Sequence, residues 1–209
     1  MPSFADAIEA TQDLGGAVSF PVRFIIEEAG SVFLYGTPVM INGTDGGVQA
    51  WDATVGAGHL IAGFAIQPAQ NLATTGAGAP SGFGPITGAG SNVGSYAPPG
   101  DSFQPLAVVT PPMVPMTDGF NYFAVAAPTV VFRGRIGTSA SAPIATTNQQ
   151  VGIQYGLTKD TGNNFWYVDT SKTGAAAVAQ IVGLDPLEPV GTIGGHVLFT
   201  IIAADAFGA

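Results

Sequence analysis

A nucleophilic triad needs a serine, threonine or cysteine joined by hydrogen bonds to a histidine and an acid. This chain offers two histidines and no cysteine. His59 follows Gly56-Ala57-Gly58 at a turn, and His196 opens an apolar strand; no G-x-S-x-G elbow is present near either. Both read as structural histidines. Two imidazoles without H-x-H or H-x-x-x-H spacing do not make a histidine metal site, and the D-x-[DN]-x-[DN]-G calcium loop is missing. The lack of cysteine also removes disulfides, thiolate catalysis and cysteine-ligated zinc. Fourteen acids give some pair at glycosidase spacing by chance, so that signal discriminates nothing. The glycines do not form a phosphate loop, because G-x-x-x-x-G-K-[ST] is absent and no lysine precedes Lys159. Trp51, Tyr96, Trp166 and Tyr167 are the side chains able to stack on sugar rings, with core packing as the competing role. The expectation is a non-enzymatic protein without cofactor or metal.

Composition narrows the partners. Charged residues make up 9% of the 209 residues, against roughly a quarter in an average soluble domain. Fourteen acids against five bases give a net charge of −9. Such a chain is repelled by a phosphate backbone, since nucleic-acid affinity comes mainly from Lys and Arg displacing counterions. No signal peptide is expected from the acidic start MPSFADAIEATQDLGG. No run of 18 apolar residues predicts a membrane helix. The 46% hydrophobic content supports a core, while 30 glycines and 16 prolines oppose helices and favour strands joined by turns and long loops.

The elements follow from periodicity. Ser3-Phe4-Ala5-Asp6 has the form of a helix start, with Phe4 and Ile8 on one face and Gly15-Gly16 as the stop. This N-terminal arm, residues 1–17, is expected to fray or to dock on a neighbouring subunit. Val18, Phe20, Val22, Phe24 and Ile26 alternate with polar residues, and Pro21 places that strand at an edge. Strands follow over Val32 to Tyr35, Pro38 to Ile41, Val48 to Trp51 and Leu60 to Gln67, with Asn42-Gly43 as a two-residue hairpin turn. Residues 68–118 form an irregular excursion. Its part from 76 to 100 holds eight glycines, four prolines and no charge, with Phe83, Ile86, Val93 and Tyr96 scattered through it. Strand character resumes over Gly119 to Ala126 and Thr129 to Ile136, where Val130, Phe132 and Ile136 oppose Val131, Arg133 and Arg135. Ile153, Tyr155 and Leu157 share a further strand face, Phe165 to Val168 is a short aromatic strand, and Val197, Phe199 and Ile201 alternate along the last one. The whole predicts an all-β fold: a β-barrel or β-sandwich over residues 18–209, with long Gly/Pro-rich loops and a short N-terminal arm or helix.

Two stretches carry a resemblance. GTPVMING with VQAWDATVGAGHLIAGFAIQ lies in the first half, and YGLTKD, FWYVDTSKTGAAAVAQIVGLDP and GGHVLFTII near the end. In their strands and turns these resemble the head decoration, or cement, proteins of tailed bacteriophages. The resemblance implies a virion structural protein on the outer capsid surface. It would bind the major capsid protein, commonly as a trimer or dimer, and stabilise the shell without touching nucleic acid or membrane. Phe4, Ile8, Phe83, Ile86, Val93 and Tyr96 are then the candidate capsid or subunit contacts. The alternative is a carbohydrate- or host-surface-binding β module, which an exposed Trp51 or Trp166 would support.

Overall fold

The computed structural model describes residues 7–14, 21–28, 31, 33–43, 46–56, 59–67, 69, 120–139, 141–160 and 162–206. Its strands are β1 (Glu9–Asp13), β2 (Val22–Ile26), β3 (Pro38–Ile41), β4 (Val48–Ala50), β5 (Gly63–Ala65) and β6 (Phe120–Val125), then β7 (Val130–Thr138), β8 (Ala142–Pro143), β9 (Gln154–Lys159), β10 (Trp166–Asp169), β11 (Ala179–Leu184) and β12 (His196–Ile201). Among the described residues there is no α-helix, only single 3-10 turns at 148–150, 174–176 and 203–205. The fold is all-β: a closed five-stranded barrel with a second sheet beside it.

The barrel runs β7-β10-β9-β11-β12 and closes from β12 back to β7, while β1 and β8 also pair with β7. The β7–β10 pairing is parallel and the others are antiparallel. Closure removes the free edges that a sheet otherwise exposes. The alternation in β7 is realised in space. Val130, Phe132 and Ile136 are buried in the main core, and Arg133 and Arg135 lie on the opposite, half-exposed face. In β12 the odd positions Val197, Phe199 and Ile201 join the same core. Ile153, expected on one strand face with Tyr155 and Leu157, lies just before β9 and is exposed, while Leu157 is buried.

The second sheet has the order β2-β6-β5-β3-β4, and a parallel bridge between Glu27 and Val48 ties its two outer strands. Its strands β3 and β5 are buried on both faces, successive side chains pointing to opposite sides. Met40, Phe64 and Ala124 face the barrel and belong to the main core. Their neighbours Val39, Ala65 and Phe123 turn away into a second core with Phe33, Val48 and Ala62. The rings of Phe64 and Phe132 stand 4.4 Å apart and those of Phe64 and Phe199 6.1 Å apart, joining sheet to barrel. Gly63 permits the close approach of β5 to β6, since a Cβ there would overlap the Ala124 carbonyl oxygen.

Four expectations change. The predicted N-terminal helix is a strand over Glu9–Asp13, antiparallel to β7. A helix of two or three turns is marginal alone, whereas β7 offers a ladder of backbone partners. Ile8, expected at a capsid or subunit contact, is 1% exposed inside this chain's own core. It fits because Gly134 has no side chain; a Cβ there would stand 3.1 Å from both Ile8 Cγ1 and Phe199 Cε1. Of the strand expected over Val32 to Tyr35, the described residues 33–35 are irregular backbone entering a turn at Tyr35-Gly36, where Gly36 has φ +73° and Ala7 passes directly above it. Finally, the two-residue turn at Asn42-Gly43 gives way to a loop between β3 and β4, closed by Asn42 N–H donating to Gly47 O at 2.8 Å. The edge position of β2 agrees with Pro21 at its start. Phe4, Phe83, Ile86, Val93 and Tyr96 lie outside the described residues.

Ile8→Ala is expected to cost about 3 kcal/mol in urea denaturation, as for a large core residue cut to alanine. Gly63→Ala is expected to cost a similar amount or more through overpacking against backbone. A loss under about 1 kcal/mol for Ile8→Ala would mean that β1 is not part of the cooperative core.

Candidate functional site

The register of β12 on β7 sets Leu198 opposite Arg133 and His196 opposite Arg135. The loop from β11 to β12 returns Asp185 and Glu188 to the same place. Arg133 Nε donates to Asp185 Oδ2 at 2.6 Å, and its Nη2 lies 3.6 Å from Glu188 Oε1 and 2.9 Å from His196 Nδ1. Glu188 takes His196 twice, accepting the backbone N–H at 2.8 Å on Oε2 and meeting Nδ1 at 2.5 Å through Oε1. One nitrogen cannot accept from Arg133 and donate to Glu188 together. The shorter contact, to a charged acceptor, assigns the proton to Nδ1.

Burial pushes the Glu188 carboxyl up, but the His196 N–H and imidazole outweigh it and hold the pKa below its ordinary value. Burial likewise pushes the Asp185 carboxyl up, but the Leu187 N–H and the Arg133 guanidinium outweigh it and hold that pKa below its ordinary value too. Asp185, Glu188 and His196 hold three potential ligand atoms within 4.8 Å of one another. The guanidinium already supplies the positive charge among them, so the group works as an ion-pair clamp. It fastens the loop of residues 185–195 to the outside of the barrel.

That loop is pinned along its length. Asp185 Oδ1 accepts the Leu187 N–H at 2.9 Å, Gly191 N–H donates to Thr146 O at 2.9 Å, and Arg135 Nη1 donates to Gly194 O at 2.7 Å. Ile193 bridges to Ala145. With the backbone held, its aliphatic side chains stay in solvent: Leu187 is 86% exposed, Ile193 71% and Val190 58%. The neighbouring turn extends this rim. Gln150 Nε2 donates to Ala145 O at 3.1 Å, and Gly152 N–H donates to Ile181 O at 2.8 Å, so exposed Val151 and Ile153 lie beside exposed Val182. Sequence reading passed over this loop, although apolar residues at every third position of DPLEPVGTIGG were a visible signal.

The other residues singled out earlier have quieter roles. His59 Nδ1 lies 2.9 Å from Asp52 Oδ2 at the surface, and no described serine or threonine hydroxyl hydrogen-bonds to that imidazole. His59 also accepts the Trp51 indole N–H on its carbonyl at 2.8 Å, which closes the loop after β4. Trp51 and Trp166 are 3% and 4% exposed, with ring centroids 5.6 Å apart, so neither presents an open face for a sugar. Tyr167 is fully buried, its hydroxyl donating to Thr138 O at 2.9 Å.

Since both clamp carboxyls have lower pKa values folded than unfolded, their stabilisation is complete above the unfolded carboxylate range, roughly pH 4 to 4.5. It is lost as the pH falls through the folded values. The thermal midpoint is therefore expected to drop steeply below about pH 4, and less steeply in an Arg133→Met/Asp185→Leu double variant. Arg133→Met alone is expected to cost about 3 kcal/mol, because it strands the Asp185 charge. A double variant no more stable than the single one would contradict the clamp. Comparison with known protein families, with characterised proteins and with solved structures finds no match to this chain.

Proposed function

We propose that this chain is a non-enzymatic virion structural protein that binds the outer surface of a capsid and stabilises the shell. The observation that carries the reading is the set of exposed aliphatic side chains on the β11–β12 loop. Leu187, Val190 and Ile193 are exposed on a loop that hydrogen bonds and ion pairs hold in place. Contiguous exposed apolar surface on a soluble domain marks a place where another molecule sits. The two acids of that loop turn inward to Arg133 and His196, leaving its outward side the charge-poor surface of an interface core.

Composition supports the same role. A chain with 9% charged residues and net charge −9 suits an external, DNA-remote position. Many copies on a symmetric lattice bind together through contacts that are individually weak, so modest patches suffice. The resemblance to phage decoration proteins gives the partner class, the major capsid protein, and an expected trimer or dimer. An exposed Trp51 or Trp166 would support the carbohydrate- or host-surface-binding alternative, and both are buried.

Particles carrying the protein should survive heating or osmotic shock better than particles stripped of it. Leu187→Asp and Ile193→Asp should each weaken capsid binding at least tenfold while leaving the urea midpoint within about 0.5 kcal/mol of the parent, as for surface substitutions. The reading fails if the protein is absent from particles, or if its removal leaves shell stability unchanged.

A further inference from the structure

Asn42-Gly43, which does not form the two-residue turn expected of it, lies where β3 ends and the loop to β4 begins. Of the seven asparagines in the chain, Asn42 alone is followed by glycine. That pairing carries chemistry. The backbone nitrogen after an asparagine can attack the side-chain amide, and any residue but glycine shields that nitrogen with a Cβ. Gly43 is exposed, and a Cβ built on it would meet nothing within 4 Å. Among the described residues its N–H has no hydrogen-bond partner. The nitrogen is neither shielded nor engaged, and it belongs to surface loop, where backbone moves more freely than in a ladder.

The amide exposed to this attack is also a structural contact. Asn42 Nδ2 donates to Glu28 Oε1 at 2.7 Å. Glu28 Oε2 is buried without a hydrogen-bond partner, so among the described residues this carboxylate relies on the Asn42 amide. A carboxylate short of donors is costly to hold away from water. Glu28 stands there because its backbone closes the second sheet. Its N–H donates to Val48 O at 2.8 Å, beside the parallel bridge from Glu27 to Val48. Gly47 allows the approach, since a Cβ on it would stand 3.0 Å from Glu28 Cα.

We infer that Asn42 is a site of spontaneous deamidation whose products unlatch β2 from β4. The Gly43 nitrogen bonds to Asn42 Cγ and gives up its proton, while the Cγ–Nδ2 bond breaks and releases ammonia. Water then opens the succinimide, at the side-chain carbonyl to leave aspartate or at the main-chain carbonyl to leave isoaspartate. Water is the only co-reactant. Aspartate sets a second carboxylate against Glu28, exchanging a charge-assisted hydrogen bond for repulsion between like charges. Isoaspartate adds a methylene to the main chain between two loop-closing bonds. These are Asn42 N–H to Gly47 O at 2.8 Å and Gly46 N–H to Asn42 O at 2.9 Å. Both products work against the same closure, whether or not the β11–β12 loop binds a capsid.

Peptide mapping by mass spectrometry, after the folded protein has stood for weeks in mildly alkaline buffer, tests the site. Asn42 should gain one mass unit before any other asparagine, as a mixture of aspartate and isoaspartate. Gly43→Ala, at an open position with ordinary φ, should slow that gain at least tenfold. Asn42→Asp should lower the folding equilibrium constant about tenfold, the loss of one hydrogen bond to a charged group. Adding Glu28→Gln should restore it, because donor and acceptor are then reversed. The proposal is overturned if Asn42 stays intact, or if it reacts no faster in the parent than in Gly43→Ala. An Asn42→Asp protein as stable as the parent, or a double variant no more stable than the single one, overturns it as well.

Discussion

The register between β7 and β12 is the constraint on which the rest of the molecule depends. It sets Phe199 opposite Phe132, with rings 5.9 Å apart, inside the barrel. Because strand side chains alternate, the same pairing sends Arg133, Arg135 and His196 to the outer face. A slip of β7 by one residue would turn Arg133 and Arg135 inward and Phe132 outward. Barrel closure, the contact with Phe64 of the second sheet and the clamp on the 185–195 loop are thus consequences of one alignment. Hydrophobic burial selects it, and the polar cluster follows.

Where one strand carries its own burial pattern, the fold was legible in the sequence. Val130, Phe132 and Ile136 against Arg133 and Arg135 already describe the two faces of β7, and Val197, Phe199 and Ile201 describe the inner face of β12. The N-terminus misled because its helix signal is local and its actual partner lies far along the chain: Glu9 pairs with Arg133. Val32 to Tyr35 misled for a similar reason. Its apolar run suits a strand, but Gly36 at positive φ turns the chain there beneath Ala7. The second sheet's two-sided burial was legible only in part, since Phe64 and Ala65 both read as apolar without indicating two separate cores.

The candidate site was less legible than the fold. Arg133 and Asp185 are 52 positions apart, and nothing periodic links them. Only the β7–β12 register and the return of the β11–β12 loop bring the pair together. His196 was visible as a strand-opening residue, but its partner Glu188 lies in a loop whose acids look solvated in sequence. The packing of Trp51 against Trp166 is harder still to foresee. Trp51 and Trp166 come from different sheets, and the difference between a twice-bonded and an unbonded indole N–H exists only in three dimensions.

The clamp also bears on why an aliphatic loop stands in water at all. A buried ion pair is a poor source of net stability, since desolvating Asp185 costs much of what Arg133 returns, and a well-packed apolar substitute would often hold the loop as well. What the charges add is direction. Hydrogen bonds from Arg133 and His196 fix where Asp185 and Glu188 sit, and with them the backbone that carries Leu187 and Val190. An apolar anchor in the same place would allow the loop's own leucine, valine and isoleucine to exchange with it and fold inward. A loop held by polar groups cannot bury its apolar tips without breaking them. Its aliphatic face is therefore ordered before any partner arrives, which lowers the conformational entropy lost on binding.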